Sequence, residues 1–186
     1  MTLACSFKDF TATASSQVAS VAACATAVGD ILISGDAFGA IDITGVKQIY
    51  GDLRINGTQQ ATSFNAPTLQ LVSGQLEISD ATILSNVNLA QLTTVGTLVY
   101  NALPALELTG LTSGVTSAES ILFTNTGLTS LSGINVYKLT TFEVSNNADI
   151  ALIDSGLESV TDTLAINYNS DKVEVYLDQL TSAQNV

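Results

Sequence analysis

Gly29-Asp30-Ile31-Leu32-Ile33-Ser34 is a phrase that this chain goes on repeating: a small or polar pair, two apolar residues around one variable residue, then Ser or Asn. It returns as Gly51-Asp52-Leu53-Arg54-Ile55-Asn56, Gly74-Gln75-Leu76-Glu77-Ile78-Ser79 and Gly96-Thr97-Leu98-Val99-Tyr100-Asn101. Weaker copies are Glu119-Ser120-Ile121-Leu122-Phe123-Thr124, Thr140-Thr141-Phe142-Glu143-Val144-Ser145 and Asp162-Thr163-Leu164-Ala165-Ile166-Asn167. The starts at 29, 51, 74, 96, 119, 140 and 162 lie 22, 23, 22, 23, 21 and 22 residues apart. A fixed period of roughly 20 to 29 residues is the mark of stacked coils, so the chain reads as a solenoid.

Within each phrase the residues alternate, which places Ile31 and Ile33, Leu53 and Ile55, or Phe142 and Val144 on one side of a short strand and Leu32, Arg54 and Glu143 on the other. A second apolar pair follows in each period: Ile41 and Ile43, Phe64 and Ala66, Val87 and Leu89, Leu106 and Leu108, Ile150 and Leu152, Val175 and Leu177. A third precedes the next phrase: Val46 and Ile49, Leu69 and Val72, Leu92 and Val95, Leu157 and Val160. Three apolar stations per turn describe a coil with a filled interior, stacked on its neighbours at a strand spacing of roughly 4.8 Å. Seven such coils make a rod about 30 Å long by that spacing. The expected class is all-β, a leucine-rich-repeat-like solenoid of a single domain. Residues 1–28 form an N-terminal cap, 29–183 seven coils, and 184–186 the start of an eighth.

With 186 residues and 46% hydrophobic content the chain is large enough to bury one continuous core. No apolar run reaches the ~18 residues that a membrane span needs, and the first residues lack the basic and apolar regions of a signal peptide. Either the protein is cytosolic or its targeting segments have been removed. Cys5 and Cys24 favour the second alternative. Both precede the first phrase and flank Thr13 to Ala23, an Ala/Ser-rich stretch that reads as a short helix over the open end of the solenoid. A disulfide between them, closing a loop of this size, contributes on the order of 3 kcal/mol; the alternative is two independent buried thiols. The sequon Asn56-Gly57-Thr58 points to the same secretory compartment, with Asn56 facing outward at a strand end as a glycosylation site.

From Cys5 onward the chain resembles the fungal GPI-anchored cell-wall organisation proteins. The resemblance lies in Cys24 just before Gly29-Asp30-Ile31, in Ala66-Pro67-Thr68-Leu69 and in Leu103-Pro104-Ala105-Leu106. It is sharpest in Ser113-Gly114-Val115-Thr116, in Thr126-Gly127-Leu128-Thr129-Ser130-Leu131 with Gly133-Ile134-Asn135, and in Asp171-Lys172-Val173-Glu174-Val175, irregular segments that the repeat does not force. It implies a right-handed β-helix similar to the receptor L-domain. It also implies a secreted glycoprotein of the cell surface and wall that maintains wall organisation without catalysis. Members of that family continue into further repeats, a Ser/Thr-rich stretch and a hydrophobic anchor signal. Gln184-Asn185-Val186 falls where an eighth strand begins, so the last coil is expected either to continue or to be covered by end-to-end self-association.

Other classes fit poorly. The chain has no His and no Trp, so the commonest general base and a common sugar-stacking platform are both missing. Cysteines committed to a cap leave no thiol nucleophile and no zinc cluster. A β-helical polysaccharide lyase or hydrolase needs paired carboxylates or a calcium cluster, whereas Asp42, Glu77, Glu107, Glu143, Glu158 and Glu174 are scattered singly. Arg54 is one coil from Glu77 at the equivalent position, which predicts a cross-rung ion pair. A net charge of −12 argues against nucleic acid and anionic membranes, which need a basic footprint. The glycines recur with the coil period and form no phosphate-binding turn, and no cofactor or metal is implied. The outward column Leu32, Arg54, Glu77, Val99, Leu122, Glu143, Ala165 is too mixed for an ice-type lattice match. It remains a candidate surface for a wall polysaccharide or a wall protein, with Arg54, Glu77 and Glu143 on it and Tyr176 as the best aromatic contributor.

Overall fold

The structure, a computed structural model, describes residues 4–186. The chain winds as a parallel β-solenoid of about eight turns with a single helix among the described residues. The first turn carries β1 (Ala4–Ser6), β2 (Phe10–Ala12) and the helix α1 (Ser15–Ala22). The next two carry β3 (Thr26–Val28), β4 (Ile31–Ser34) and β5 (Ala40–Asp42), then β6 (Gln48–Tyr50), β7 (Leu53–Asn56) and β8 (Ser63–Asn65). There follow β9 (Leu71–Ser79) with β10 (Asn86–Asn88), β11 (Thr94–Leu103), β12 (Ser120–Thr126), and β13 (Lys138–Ser145) with β14 (Leu152–Asp154). The chain ends in β15 (Ser159–Asn167), β16 (Glu174–Tyr176) and β17 (Ser182–Asn185).

Two of the three apolar stations share one sheet of twelve strands, and the other is built from smaller sheets, β5-β8-β10 and β14-β16. In the early turns the large sheet breaks at Gly29 and Gly51, whose φ values of 113° and 147° bend the chain between β3 and β4 and between β6 and β7. Close approach adds to the demand at Gly51, where a Cβ would stand 2.4 Å from the Gly29 carbonyl oxygen. In β9, β11, β13 and β15 the two segments run together as one long strand, with a register irregularity at the same corner in the β9–β11 and β13–β15 pairs. The opposite corner lies one residue beyond each phrase. There Gly35, Gly57, Asp80, Ala102, Asn125, Asn146 and Tyr168 all have positive φ, so a left-handed residue turns every coil even where glycine is absent.

The interior is one continuous apolar cluster running from Ala12 to Leu164. All the inward phrase residues from Ile31 to Val144 are buried, as are the pairs Ile41/Ile43, Phe64/Ala66 and Val87/Leu89 and the four pairs of the third station. Three expected members of the second station are exposed, and a fourth, Leu177, is only partly buried. Leu108 is 65% exposed, because the chain after Pro104 forms no strand and turns Thr109 and Leu111 inward in its place. Leu152 is 37% exposed because β14 presents Ile153 to the core, and period-two alternation then puts Leu152 outside. Val175 is 42% exposed on the β14-β16 sheet at the last turn.

Several polar groups inside the coil are satisfied by hydrogen bonds within or across rungs. Asn147 is fully buried; its Oδ1 accepts from the Thr126 N–H at 2.9 Å and hydroxyl at 2.6 Å, and its Nδ2 donates to the Phe123 carbonyl at 3.0 Å. One turn later Asn169 repeats the device, donating to the Val144 carbonyl at 2.7 Å. Tyr100 is buried with its hydroxyl donating to the Thr109 carbonyl at 2.9 Å, and burial raises its pKa well above the ordinary tyrosine value of 10.0. Above pH ~10 the unfolded chain ionises this tyrosine while the folded chain keeps its proton. The unfolded state then binds fewer protons, so this contribution to stability, complete below pH ~10, is lost as pH rises. Thermal melts from about pH 9 to 11 are expected to show a smaller alkaline loss for Tyr100→Phe than for the parent chain.

Candidate functional site: the outward column and its cleft

Parallel pairing places the outward phrase residues in one register. Thr11 pairs with Leu32, Leu32 with Arg54, Arg54 with Glu77, Glu77 with Val99, Val99 with Leu122, Leu122 with Glu143 and Glu143 with Ala165. At its N-terminal end this column floors a cleft of about 590 Å³, lined by Asp9, Thr11, Asp30, Leu32, Asp52, Arg54, Asn56 and Glu77 among others.

Arg54 is the cation of this cleft. Its Nη2 donates to Asp52 Oδ2 at 2.7 Å, and its Nε lies 3.8 Å from Glu77 Oε2. The cross-rung pair with Glu77 is therefore present, but the shorter contact is to Asp52, two residues back on the same face, a partner that repeat spacing alone did not indicate. Asp30 and Asp52 also tie successive coils together, while Glu77 braces its own strand. Asp30 accepts the Asp52 N–H at 2.8 Å, Asp52 accepts the Gln75 N–H at 2.8 Å, and Glu77 accepts the Ser79 hydroxyl at 2.8 Å. Three rungs further on, Glu143 repeats the last of these by accepting the Ser145 hydroxyl at 2.7 Å. Three strand spacings amount to about 14 Å. That is longer than the roughly 5 to 9.5 Å between paired glycosidase carboxylates, so Glu77 and Glu143 do not form such a pair.

The remaining sequence candidates stand apart from the cleft or at its rim. Tyr176 is half-exposed on the β14-β16 sheet, and its hydroxyl donates to Glu174 Oε2 at 3.1 Å. That hydrogen bond, with the Glu174 charge behind it, raises the Tyr176 pKa. It shares no site with Arg54, Glu77 or Glu143, so the four residues are two separate surfaces. Asn56 is half-buried at the end of β7, its Nδ2 donating to Ser79 Oγ at 2.8 Å; Thr58 of the same sequon is fully buried with an unpartnered hydroxyl. Cys5 and Cys24 are joined by a disulfide with a Cα–Cα distance of 5.8 Å. It ties β1 to the end of α1, whose Val18 and Val21 are buried over the first turn. Sequence reading passed over three exposed tyrosines, Tyr50, Tyr137 and Tyr168, because each sits at a strand end or corner outside the alternating phrase. Among the described residues no group of three or more His, Cys, Asp or Glu is arranged to hold a metal ion. No helix among them is long and apolar enough to cross a membrane.

No protein-family model and no solved structure matches the chain. Curated proteins do. It is 35% identical over 184 residues to the cell surface GPI-anchored protein ECM33 of Candida albicans, a match covering 98% of this chain and 45% of that protein. It is 32% identical over 185 residues to protein ecm33 of Aspergillus fumigatus, covering 98% of this chain and 46% of the relative. The cell wall mannoprotein PST1 of Saccharomyces cerevisiae is 33% identical over 165 residues, or 88% of this chain and 36% of its own length. The chain thus spans less than half the length of these relatives. Over nearly its whole length, then, the chain is homologous to fungal proteins named as GPI-anchored cell-surface and cell-wall proteins.

Proposed function

We propose that this chain is a non-enzymatic, extracellular element of the fungal cell surface and wall, contributing to wall organisation by presenting the outward faces of a rigid solenoid to wall polysaccharides or wall proteins. The observation that carries this reading is the use made of the polar groups on the outward column. Arg54, Asp30, Asp52, Glu77 and Glu143 are each engaged by a neighbouring rung or by a residue on the same strand, an arrangement that supports a fixed surface over one poised for proton transfer. The names of the relatives, cell-surface and cell-wall proteins, support the same place of action. A second reading, a soluble module that captures one wall polysaccharide or one partner protein, is favoured by the cleft beside Arg54, whose concavity and few convergent polar groups suit a bound ligand.

Incubating the purified chain with insoluble β-glucan and with chitin, then washing and eluting, tests the reading. Retention on one or both polymers is the expected outcome. A chain left wholly in the supernatant, in the presence and absence of other wall proteins, refutes the polysaccharide arm.

A further inference from the structure

A second surface lies on the corner where each coil enters the large sheet. Tyr137, immediately before β13, is 60% exposed, and a groove of about 340 Å³ runs beside it, lined by Thr116, Ser117, Lys138 and Glu158 among others. That volume falls at the small end of the roughly 300 to 1,000 Å³ typical of ligand sites. Glu158 stands one rung from the tyrosine at the same corner, its N–H donating to the Tyr137 carbonyl at 2.7 Å. Gly156 lies alongside the ring, where a Cβ would sit 3.6 Å from Tyr137 Cε1, so a longer side chain at 156 would lie along the aromatic ring and occlude it. Its φ is not in the left-handed region, so backbone conformation does not account for the glycine. Among the described residues the Tyr137 hydroxyl, the Lys138 ammonium and the Glu158 carboxylate form no side-chain hydrogen bond or ion pair. Tyr176 differs, since its hydroxyl is occupied by Glu174.

We propose that this groove is a saccharide subsite in which a neutral pyranose ring with equatorial hydroxyls, the unit of a β-linked glucan or of chitin, stacks its apolar face on Tyr137. The proposal rests on the polysaccharide reading given above and names the place where the sugar sits. The tyrosine ring supplies a flat apolar platform with a polar tip. Lys138 offers three donors, Glu158 two acceptor oxygens and Thr116 a hydroxyl, which together match the mixed donor and acceptor character of sugar hydroxyls. One cation and one anion leave the groove without net charge, which favours a neutral sugar over an acidic or an amino sugar. In the cleft beside Arg54, by contrast, the carboxylates already accept hydrogen bonds from the protein and surround a single cation.

NMR titration of the folded chain with laminarihexaose and with chitohexaose tests the site and separates the two sources of such a ring. Tyr137→Ala is expected to raise Kd at least tenfold, Tyr137→Phe to stay within about threefold, and Gly156→Leu, which leaves the tyrosine in place but covers it, to weaken binding as Tyr137→Ala does. Tyr168→Ala, 82% exposed at another corner, should bind as the parent does. Unchanged spectra away from the groove show that the variants fold. If the parent is retained by the insoluble polymers while Tyr137→Ala and Gly156→Leu bind as well as the parent, the subsite is overturned and the polysaccharide reading stands. If the parent neither binds the hexaoses nor is retained by the polymers, both fall.

Discussion

Truncating Ile55 or Leu76 to alanine is expected to lower the unfolding free energy by about 2 to 5 kcal/mol, whereas Leu32→Thr and Glu143→Gln should change it by about 0.5 kcal/mol or less. Ile55 and Leu76 are fully buried in consecutive rungs, so removing their outer carbons forfeits transfer free energy and leaves a cavity that rigid parallel strands cannot collapse around. Leu32 and Glu143 occupy the outward phase of the same strands. The Glu143 carboxylate is needed there only as an acceptor for Ser145, a role that glutamine keeps. Because each coil touches only its neighbours, a weakened rung should also divide the unfolding transition, with the coils on either side melting apart. Denaturant titrations of the four variants decide the matter; equal losses at inward and outward positions would mean that the two faces are not distinct.

The second large effect is expected at the N-terminus. Reducing the Cys5–Cys24 disulfide opens a loop with a sequence separation of 19, which by the chain-entropy account costs about 3 kcal/mol. The consequence is local as well as global. The first turn consists of β1 and β2, paired only on one side, and of α1, entered through Thr13 and Ala14, whose N–H groups donate to the Gln17 side chain at 2.7 Å and 3.1 Å. An eight-residue helix is too short to persist alone in water, so it depends on Val18 and Val21 and on the tether. Hydrogen exchange after reduction should therefore accelerate first in residues 4 to 28 and only later in β9 to β13. Intact mass with and without reductant, after alkylation, establishes the bond itself. Two freely alkylated thiols in the native protein would refute the tether.

The fold was legible because two periods are written into the chain at once. Alternation of period two sorts Ile31 and Ile33 from Leu32, and the interval of about 22 residues stacks Leu32 on Arg54 and Arg54 on Glu77, so the whole outward column aligns from the sequence alone. Both periods are local properties of an alternating strand and a uniform coil, and the parallel register follows from them. Where the coil departs from uniformity they fail. Leu108, in the strandless segment after Pro104, faces solvent, and Leu152 yields its inward place to Ile153.

What the sequence by itself determined is the solenoid, its buried columns, the N-terminal cap with its cysteine pair, and the absence of the His and Trp residues that many sugar-processing sites use. What only the tertiary structure decided is which polar groups meet. Asp52 lies closer to Arg54 than Glu77 does, and Tyr176 is removed to a different sheet. Asp80, Ala102 and Tyr168 take left-handed corners that glycine fills elsewhere, and Tyr137 is left bare beside Gly156. The physical reason is that burial is repeated in every rung and so can be read as a pattern. A contact between two polar or aromatic side chains depends on the bend and offset of one particular corner, which no repeat encodes.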